Sequence, residues 1–237
     1  MRQVFFADTR FGRERLAPGS IKRRHRHAQG YIAVVLSGGY VEAGDEGRRR
    51  VGPGDAIVHR QFDGHLDLVG AHGAEVLNLP LPAGRVLALG LRVADPDSVA
   101  RLAEADPAAA AALLEATGEL PLLEEDWPDL LAADLRSRPE VRIAGWAKQA
   151  GLAPATVSRG FRSVFGVAPA RYRAEMRARR AFAALAEGDT PLADLALSSG
   201  FADQAHLSRA IAELTGHAPT AWRRRSNPFK TEPMRAA

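Results

Sequence analysis

The chain has 237 residues, of which 46% are hydrophobic and 25% charged, with a formal net charge of +4 and no cysteine. That apolar content can bury a sizeable core split between two domains, and the lack of cysteine excludes disulfides, thiolate metal sites and thiol redox sensing. No apolar run reaches membrane-spanning length and no basic leader with an apolar stretch opens the sequence, so a cytoplasmic location and no membrane partner are expected.

From Val4 to about Leu81, short strand-like runs are punctuated by glycine: VFF, YIAVVL, GYVEAG, RRRVG, DAIVH, HLDLV and AEVLNLPL. Many short strands with frequent turn signals predict a small all-β barrel or jelly roll over residues 1–90. His25 and His27, two positions apart, share one face of a strand, and neutral imidazole is a common metal ligand. Lys22, Arg23, Arg24 and Arg26 flank this pair, as a solvated strand edge or as a seat for an anion. His59 and His72 have no spacing that assigns them.

From Asp95 to Ser137 the pattern turns helical, in DPDSVARLAEA, DPAAAAALLEATG and EEDWPDLLAADLRS, with aspartates as caps and Gly118 as a terminator. Residues 91–135 read as a helical linker and candidate dimerisation region. The alanine-rich run fits a dimer seam and an intramolecular helix contact equally well.

Between Arg142 and Arg225 one helix-turn-helix pattern occurs twice. Ile143, Ala147 and Gly151 recur 49 residues later as Leu192, Ala196 and Gly200. Val157, Ser158, Arg159, Gly166, Pro169 and Arg173 recur 50 residues later as Leu207, Ser208, Arg209, Gly216, Pro219 and Arg223. The small Ala lets two helices approach, and the Gly after it permits a positive φ at the turn. Pro154 suits a first helical turn and Asp203 a cap. This predicts an all-α tandem helix-turn-helix over 136–226, a joining helix from about Pro169 to Glu187 ending at Gly188, and a mobile tail over 227–237.

The unpacked face of each second helix would carry Ala155, Ser158, Arg159 and Arg162 in the first unit and Gln204, Ala205, Ser208 and Arg209 in the second. Arg pairs with guanine, Gln with adenine and Ser is an adaptable contact, so these types suit base readout in a major groove. Residues 137–237 hold 16 Lys and Arg against 8 Asp and Glu, whereas residues 1–136 hold 16 against 20. The basic half is the footprint of a phosphate-binding surface, with Arg171, Arg173, Arg223 and Arg224 as backbone contacts beside Arg177, Arg179, Arg180 and Arg225.

Residues 136–225 resemble the DNA-binding domain of the AraC/XylS family of bacterial transcription regulators. The resemblance rests on GFADQAHLSRAIAELTGHAPTAWR and LAPATVSRGFRSVFGVAPARYR. It implies two motifs held by the joining helix in successive major grooves, about 34 Å apart. That family usually has an aromatic and then a basic residue after the second motif's Arg, where this chain has Ile211 and Ala212, so a weaker phosphate grip is expected there. In the N-terminal half, Gly19, His25, His27 and Gly38, followed by PGDAIVHRQFDGH with His65, are similar to the two motifs of the cupin barrel, with Tyr31 where metal-binding cupins carry Glu. His25, His27, Tyr31 and His65 are thus candidates for an effector pocket. No cofactor is required, although three histidines can hold zinc or nickel with an open position.

Together the resemblances imply a regulator that binds double-stranded promoter DNA under control of a small-molecule effector, with RNA polymerase as a partner and the central helices available for a homodimer. The competing class is a metal-dependent cupin isomerase or dioxygenase acting through His25, His27 and His65.

Overall fold

The computed structural model describes residues 6–124, 126–138 and 140–226, with residues 187, 225 and 226 described by backbone alone. Residues 4 and 5 of the first expected strand and the expected mobile tail at 227–237 lie outside the described residues. The chain divides into two compact units, one through Tyr172 and one from Arg173.

The first unit opens with β1 (Phe6–Ala7), β2 (Gly12–Leu16), β3 (Ile21–His27), β4 (Tyr31–Gly44), β5 (Gly47–Val51), β6 (Asp55–His59), β7 (Gly64–Pro80) and β8 (Gly90–Val93). It continues through α1 (Pro96–Ala105), α2 (Pro107–Leu113), β9 (Ala116–Glu119), α3 (Trp127–Ser137), α4 (Ile143–Gln149) and α5 (Pro154–Phe165). The main path of strands runs β1-β3-β7-β4-β6-β8-β9, with β2 beside β7 and β5 beside β4, and does not close into a complete barrel among the described residues.

Two strands are longer than their glycine content suggests. YIAVVL and GYVEAG fuse into β4, and HLDLV and AEVLNLPL fuse into β7. Their glycines are corners instead of turns. Gly38 and Gly73 have φ of 70° and 75°, and a Cβ on Gly38 would lie 2.1 Å from the Gly73 carbonyl oxygen. At this crossing the register of β4 against β7 shifts, between Val35 and Ser37 and again between Gly38 and Tyr40. Before the corner β4 pairs with β6 and the end of β7; after it, with β5 and the start of β7.

Period-two alternation then sorts the side chains. Ile32, Val34, Ala56, Val58, Leu77 and Leu79 face outward and are covered by Val99, Ala103, Ala110, Ala111 and Leu114 of the helical region. Tyr31, Ala33, Val35, Tyr40, Val51, Ile57, Val69 and Val76 share the interior. Residues 31–35 are therefore buried on both faces, which explains an uninterrupted apolar run in an antiparallel strand. The alanine-rich helix α2 makes an intramolecular contact with this sheet.

That helix is also shorter than expected. Asp106 caps it by accepting from the N–H groups of Ala108 and Ala109, and the Arg85 guanidinium donates to the carbonyls of Ala111 and Ala112 at its other end. Gly118 does not terminate it: the chain turns extended at the fully buried Leu114, and Gly118 pairs with Arg92 in β9. A four-residue strand formed only by pairing with β8 leaves no local signal.

Helix α3 is tied to β5 by the Arg48 guanidinium, which grips both Asp129 oxygens at 2.9 and 2.6 Å. It presents Trp127 to α5 at Gly160, where an added Cβ would lie 2.4 Å from the indole. Gly160→Ala is expected to lower stability by about 1–3 kcal/mol despite the better helix propensity of Ala. A thermal midpoint equal to or above that of the wild type would show that Trp127 moves aside freely.

Helix α6 (Pro169–Glu187) has the expected bounds, and the boundary between the units falls within it. The second unit continues with α7 (Leu192–Ser198), α8 (Gln204–Thr215) and α9 (Pro219–Ser226). Its core is Ala181, Leu185, Leu195, Ala196, Phe201, Leu207 and Ile211, with Phe182 and Trp222, edge to face with each other at 5.1 Å, packed against it.

Candidate nucleic-acid interface and histidine cluster

The two helix pairs reproduce each other bond by bond. Ala147 and Ala196 are fully buried, and their carbonyls accept from the N–H of Leu152 and Phe201 at 2.9 and 2.8 Å across the turn. Gly151 and Gly200 take φ of 67° and 73°. Val157 and Leu207 are fully buried. Helices α5 and α8 are both 12 residues long and end on left-handed glycines, Gly166 and Gly216. Only their starts differ. Asp203 accepts from the His206 N–H at 2.7 Å, whereas α5 has Ala153 as its cap and relies on Pro154.

The burial sequence of residues 154–161 is repeated without change at 204–211. On α5, Ala155, Arg159 and Arg162 are exposed and Ser158 is half-buried; on α8, Gln204, Ala205 and Arg209 are exposed and Ser208 is half-buried. The side chains of Arg159, Arg162 and Arg209 have no hydrogen bond or ion pair with any described residue. Three free guanidinium groups on such faces can donate to an external acceptor. The exposed Thr156 and His206, also 50 residues apart, complete these faces, and sequence reasoning passed over both.

The basic residues expected on phosphate are more varied. The Arg223 guanidinium donates to the Thr190 carbonyl, and Arg177 donates to the Gly200 carbonyl at 3.1 Å while lying over the Phe201 ring. Arg171, Arg173, Arg179 and Arg180 are also engaged within the protein, whereas Arg224 is exposed. Part of the basic surplus thus holds the helices together. The Arg225 side chain lies outside what is described.

In the first unit the strand interior becomes polar at one end. His25 pairs in register with His65, and Tyr31 with His59. The His65 ring centroid lies 4.3 Å from both His25 and His59, and 5.6 Å from a nearly parallel His27. The Tyr31 hydroxyl sits 3.4 Å from Nε2 of both His27 and His65. His25 Nδ1 donates to the Arg23 carbonyl at 2.9 Å, which leaves Nε2 as its lone pair, and His27 Nδ1 meets Thr9 Oγ1 at 3.0 Å. The structure thus gathers the four residues proposed from sequence and adds His59 and Glu42. His25, His27 and His65 can each offer an atom to a common ion, and so can Glu42, His59 and His65.

Burial pushes His59 and His65 well below the ordinary imidazole range; it also lowers His25 and brings His27 down to about 4. Burial, reinforced by mutual repulsion across a register pair, holds Glu42 well above the carboxylate range, and burial raises Asp67 to about 7. Between about pH 4 and 6.5 the unfolded chain gains protons on His27, His59 and His65, which stay neutral over most of that range in the fold, and His25 shifts in the same direction. Over much of that range the unfolded chain also lacks protons that Glu42 and Asp67 keep when folded. The histidines outnumber the carboxyls, so stability falls with acid. In chelator, the melting midpoint is expected to be lower at pH 5 than at pH 7; a rise on acidification would contradict neutral buried histidines.

Of the flanking cations, Lys22, Arg24 and the buried Arg26 are engaged within the protein, whereas Arg23 is exposed. Lys22 is paired with Glu14 at 2.5 Å and Arg24 with Asp45, both side chains of the latter pair being almost fully buried. Asp45 also accepts from the Gly64 N–H at 2.8 Å. The Tyr172 hydroxyl donates to the Asp45 carbonyl at 2.7 Å, and the Arg24 guanidinium reaches the Phe165 carbonyl at 3.4 Å and lies over the Tyr172 ring. Tyr172, Phe161 and Phe165 form an aromatic trio with centroids 4.6–5.4 Å apart. Strand residues adjoining His25 and His65 therefore touch the end of α5.

Residues 146–225 match the model of a family described as a helix-turn-helix domain. A search of the curated proteins found no match. Among solved structures, the chain is similar to unsaturated fatty acid-bound ToxT from Vibrio cholerae, at 10% identity over 93% of this chain and 96% of that one, with a TM-score of 0.44. It is similar to a probable AraC family transcriptional regulator from Rhodopseudomonas palustris at 21% identity, over 40% of this chain and 93% of that one, with a TM-score of 0.37. The DNA-binding domain of AdpA in complex with a target DNA is 22% identical over 46% of this chain and all of that one, with a TM-score of 0.40.

Proposed function

We infer from residues 146–225, which match a helix-turn-helix family model and resemble the AraC/XylS DNA-binding domain, that the protein is a DNA-binding transcription regulator whose N-terminal strand domain senses a small molecule. The observation that carries the DNA-binding reading is the repeated exposed face on α5 and α8, with Arg159, Arg162 and Arg209 unengaged. Arg159 and Arg209 are the guanine-reading candidates, Gln204 the adenine-reading one, and Ser158, Ser208, Ala155 and Ala205 the close contacts. Arg224, with whatever fraction of Arg171, Arg173 and Arg223 can leave their internal partners, would hold phosphates.

Control by an effector needs a route from the strand interior to a recognition helix. The Arg24–Asp45 pair supports one. It sits one residue from His25 and bonds to Gly64 beside His65, while Arg24 and the Asp45 carbonyl contact Phe165 and Tyr172. An occupant among the histidines that shifts β3 or the start of β7 would favour one setting of α5 over another, which is the differential affinity any ligand control requires. His25, His27, Tyr31 and His65 are the proposed lining of that pocket.

Arg159→Ala and Arg209→Ala are each expected to relax preference at one or two base pairs, by about 1–3 kcal/mol at the affected position. Binding measured on a panel of single-base operator variants checks this. A uniform loss across the panel would make both arginines phosphate contacts.

A further inference from the structure

We propose that Glu42, His59 and His65 form a binding site for one divalent transition-metal ion, adjacent to but distinct from the His25–His27–His65 group. Strand alternation brings the three together: Glu42 lies two residues beyond the interior Tyr40, His59 two beyond the interior Ile57, and His65 four before the interior Val69. They are 7%, 3% and 2% exposed, and each can offer one ligand atom within 4.8 Å of the other two. They line one small cleft together with Asp45, Arg49 and Asp63.

Two buried atoms make this more than proximity. Glu42 Oε2 accepts no hydrogen bond, with His59 Nε2 3.5 Å away, and His65 Nδ1 is likewise buried without a partner. Leaving such atoms unmatched is costly, and a cation bound to both removes that cost. The Nε2–H tautomer of His65, which donates toward the Tyr31 hydroxyl, presents Nδ1 as a bare lone pair. His59 stacks on Tyr31 at 4.3 Å, which fixes its ring plane. Two imidazoles and one carboxylate suit zinc, cobalt, nickel or iron(II) better than magnesium or calcium, which favour all-oxygen shells.

The two groups share His65, so one ion on this site uses the ligand the other group needs. Tyr31 also differs from a carboxylate: burial and the nearby Glu42 push its pKa up, keeping the phenol protonated beside His27 and His65. A carboxylate that can join His59 and His65 around an ion is Glu42. The proposal is independent of DNA binding.

Cobalt(II) titration of untagged, chelator-treated full-length protein tests it, followed by visible absorption and by zinc competition. The expected result is saturation at one equivalent, with Glu42→Gln and His59→Gln each weakening uptake by at least about tenfold and His27→Gln leaving it unchanged. No stoichiometric uptake by the wild type would overturn the site. So would loss confined to His25→Gln and His27→Gln with Glu42→Gln binding normally, which would place the ion on the other group. Anomalous diffraction from cobalt-loaded wild-type crystals reads the site without any variant: a peak between Glu42 and His59 supports the proposal, and one between His25 and His27 contradicts it.

Discussion

Asp45→Ala is expected to destabilise the first unit by about 3–5 kcal/mol, a loss large enough to move its melting midpoint by roughly 10 °C. The Asp45 side chain is fully buried and serves two groups, the Arg24 guanidinium and the Gly64 N–H. Removing it takes an anionic partner from a cation that is only 8% exposed and cannot deprotonate, and it takes the acceptor from the Gly64 N–H. The cost falls where the strands meet Phe165 and Tyr172, so a change in operator affinity should accompany it. Asp45→Ala combined with Arg24→Ala should be less destabilised than the sum of the single variants, because the double variant holds no orphaned charge. Strict additivity in thermal or denaturant unfolding would show that the two side chains act separately and that the proposed route from strands to α5 does not exist.

Gly38→Ala is the second severe change, at about 3 kcal/mol or more. A left-handed φ of 70° costs a residue with a Cβ of order 1 kcal/mol or more, and the methyl would be forced against the Gly73 carbonyl at 2.1 Å. That neighbour is backbone next to Ala74, which pairs with both β4 and β2, so it cannot swing aside as a side chain could. Since this corner decides which residues after it face inward, the damage should reach Glu42 and His65, and cobalt uptake should fall with stability. Wild-type stability in Gly38→Ala would mean that the strands cross with more clearance than they show.

The helical half was largely legible because its information is local and stated twice. The turn glycines, the buried alanines, Val157 and Leu207, the Asp203 cap and the bounds of α6 all follow from spacing and short-range chemistry, and each is found where expected. The strand half was less so. Glycine was read as a break between strands, which holds for the glycines at hairpins but not at Gly38, Gly39, Gly70 and Gly73, where two long strands cross a corner. GRERL and ATGE carry no strand alternation; β2 and β9 exist because β7 and β8 offer edges for them. The same non-locality hid half of the cluster. His25, His27 and His65 stood out through a known spacing, whereas Glu42 and His59 reach it only through pairings across 25 and 28 residues and through the register after the corner. A glutamate inside the otherwise apolar YVEAG run was the one available hint.

The internal roles of Arg177 and Arg223 show a related limit. Composition assigns a basic face correctly as a whole, but the same guanidinium can cap a carbonyl or wait for a phosphate, and only the folded contacts tell which.

The central claim is that both exposed helical faces read sequence. Selection of bound duplexes from a random library by the full-length protein at physiological salt, where non-specific binding is suppressed, tests it most directly. Two enriched elements about one helical turn apart are expected, the first weakened by Arg159→Ala and the second by Arg209→Ala. Absence of any enriched element, with or without added metal, would contradict it.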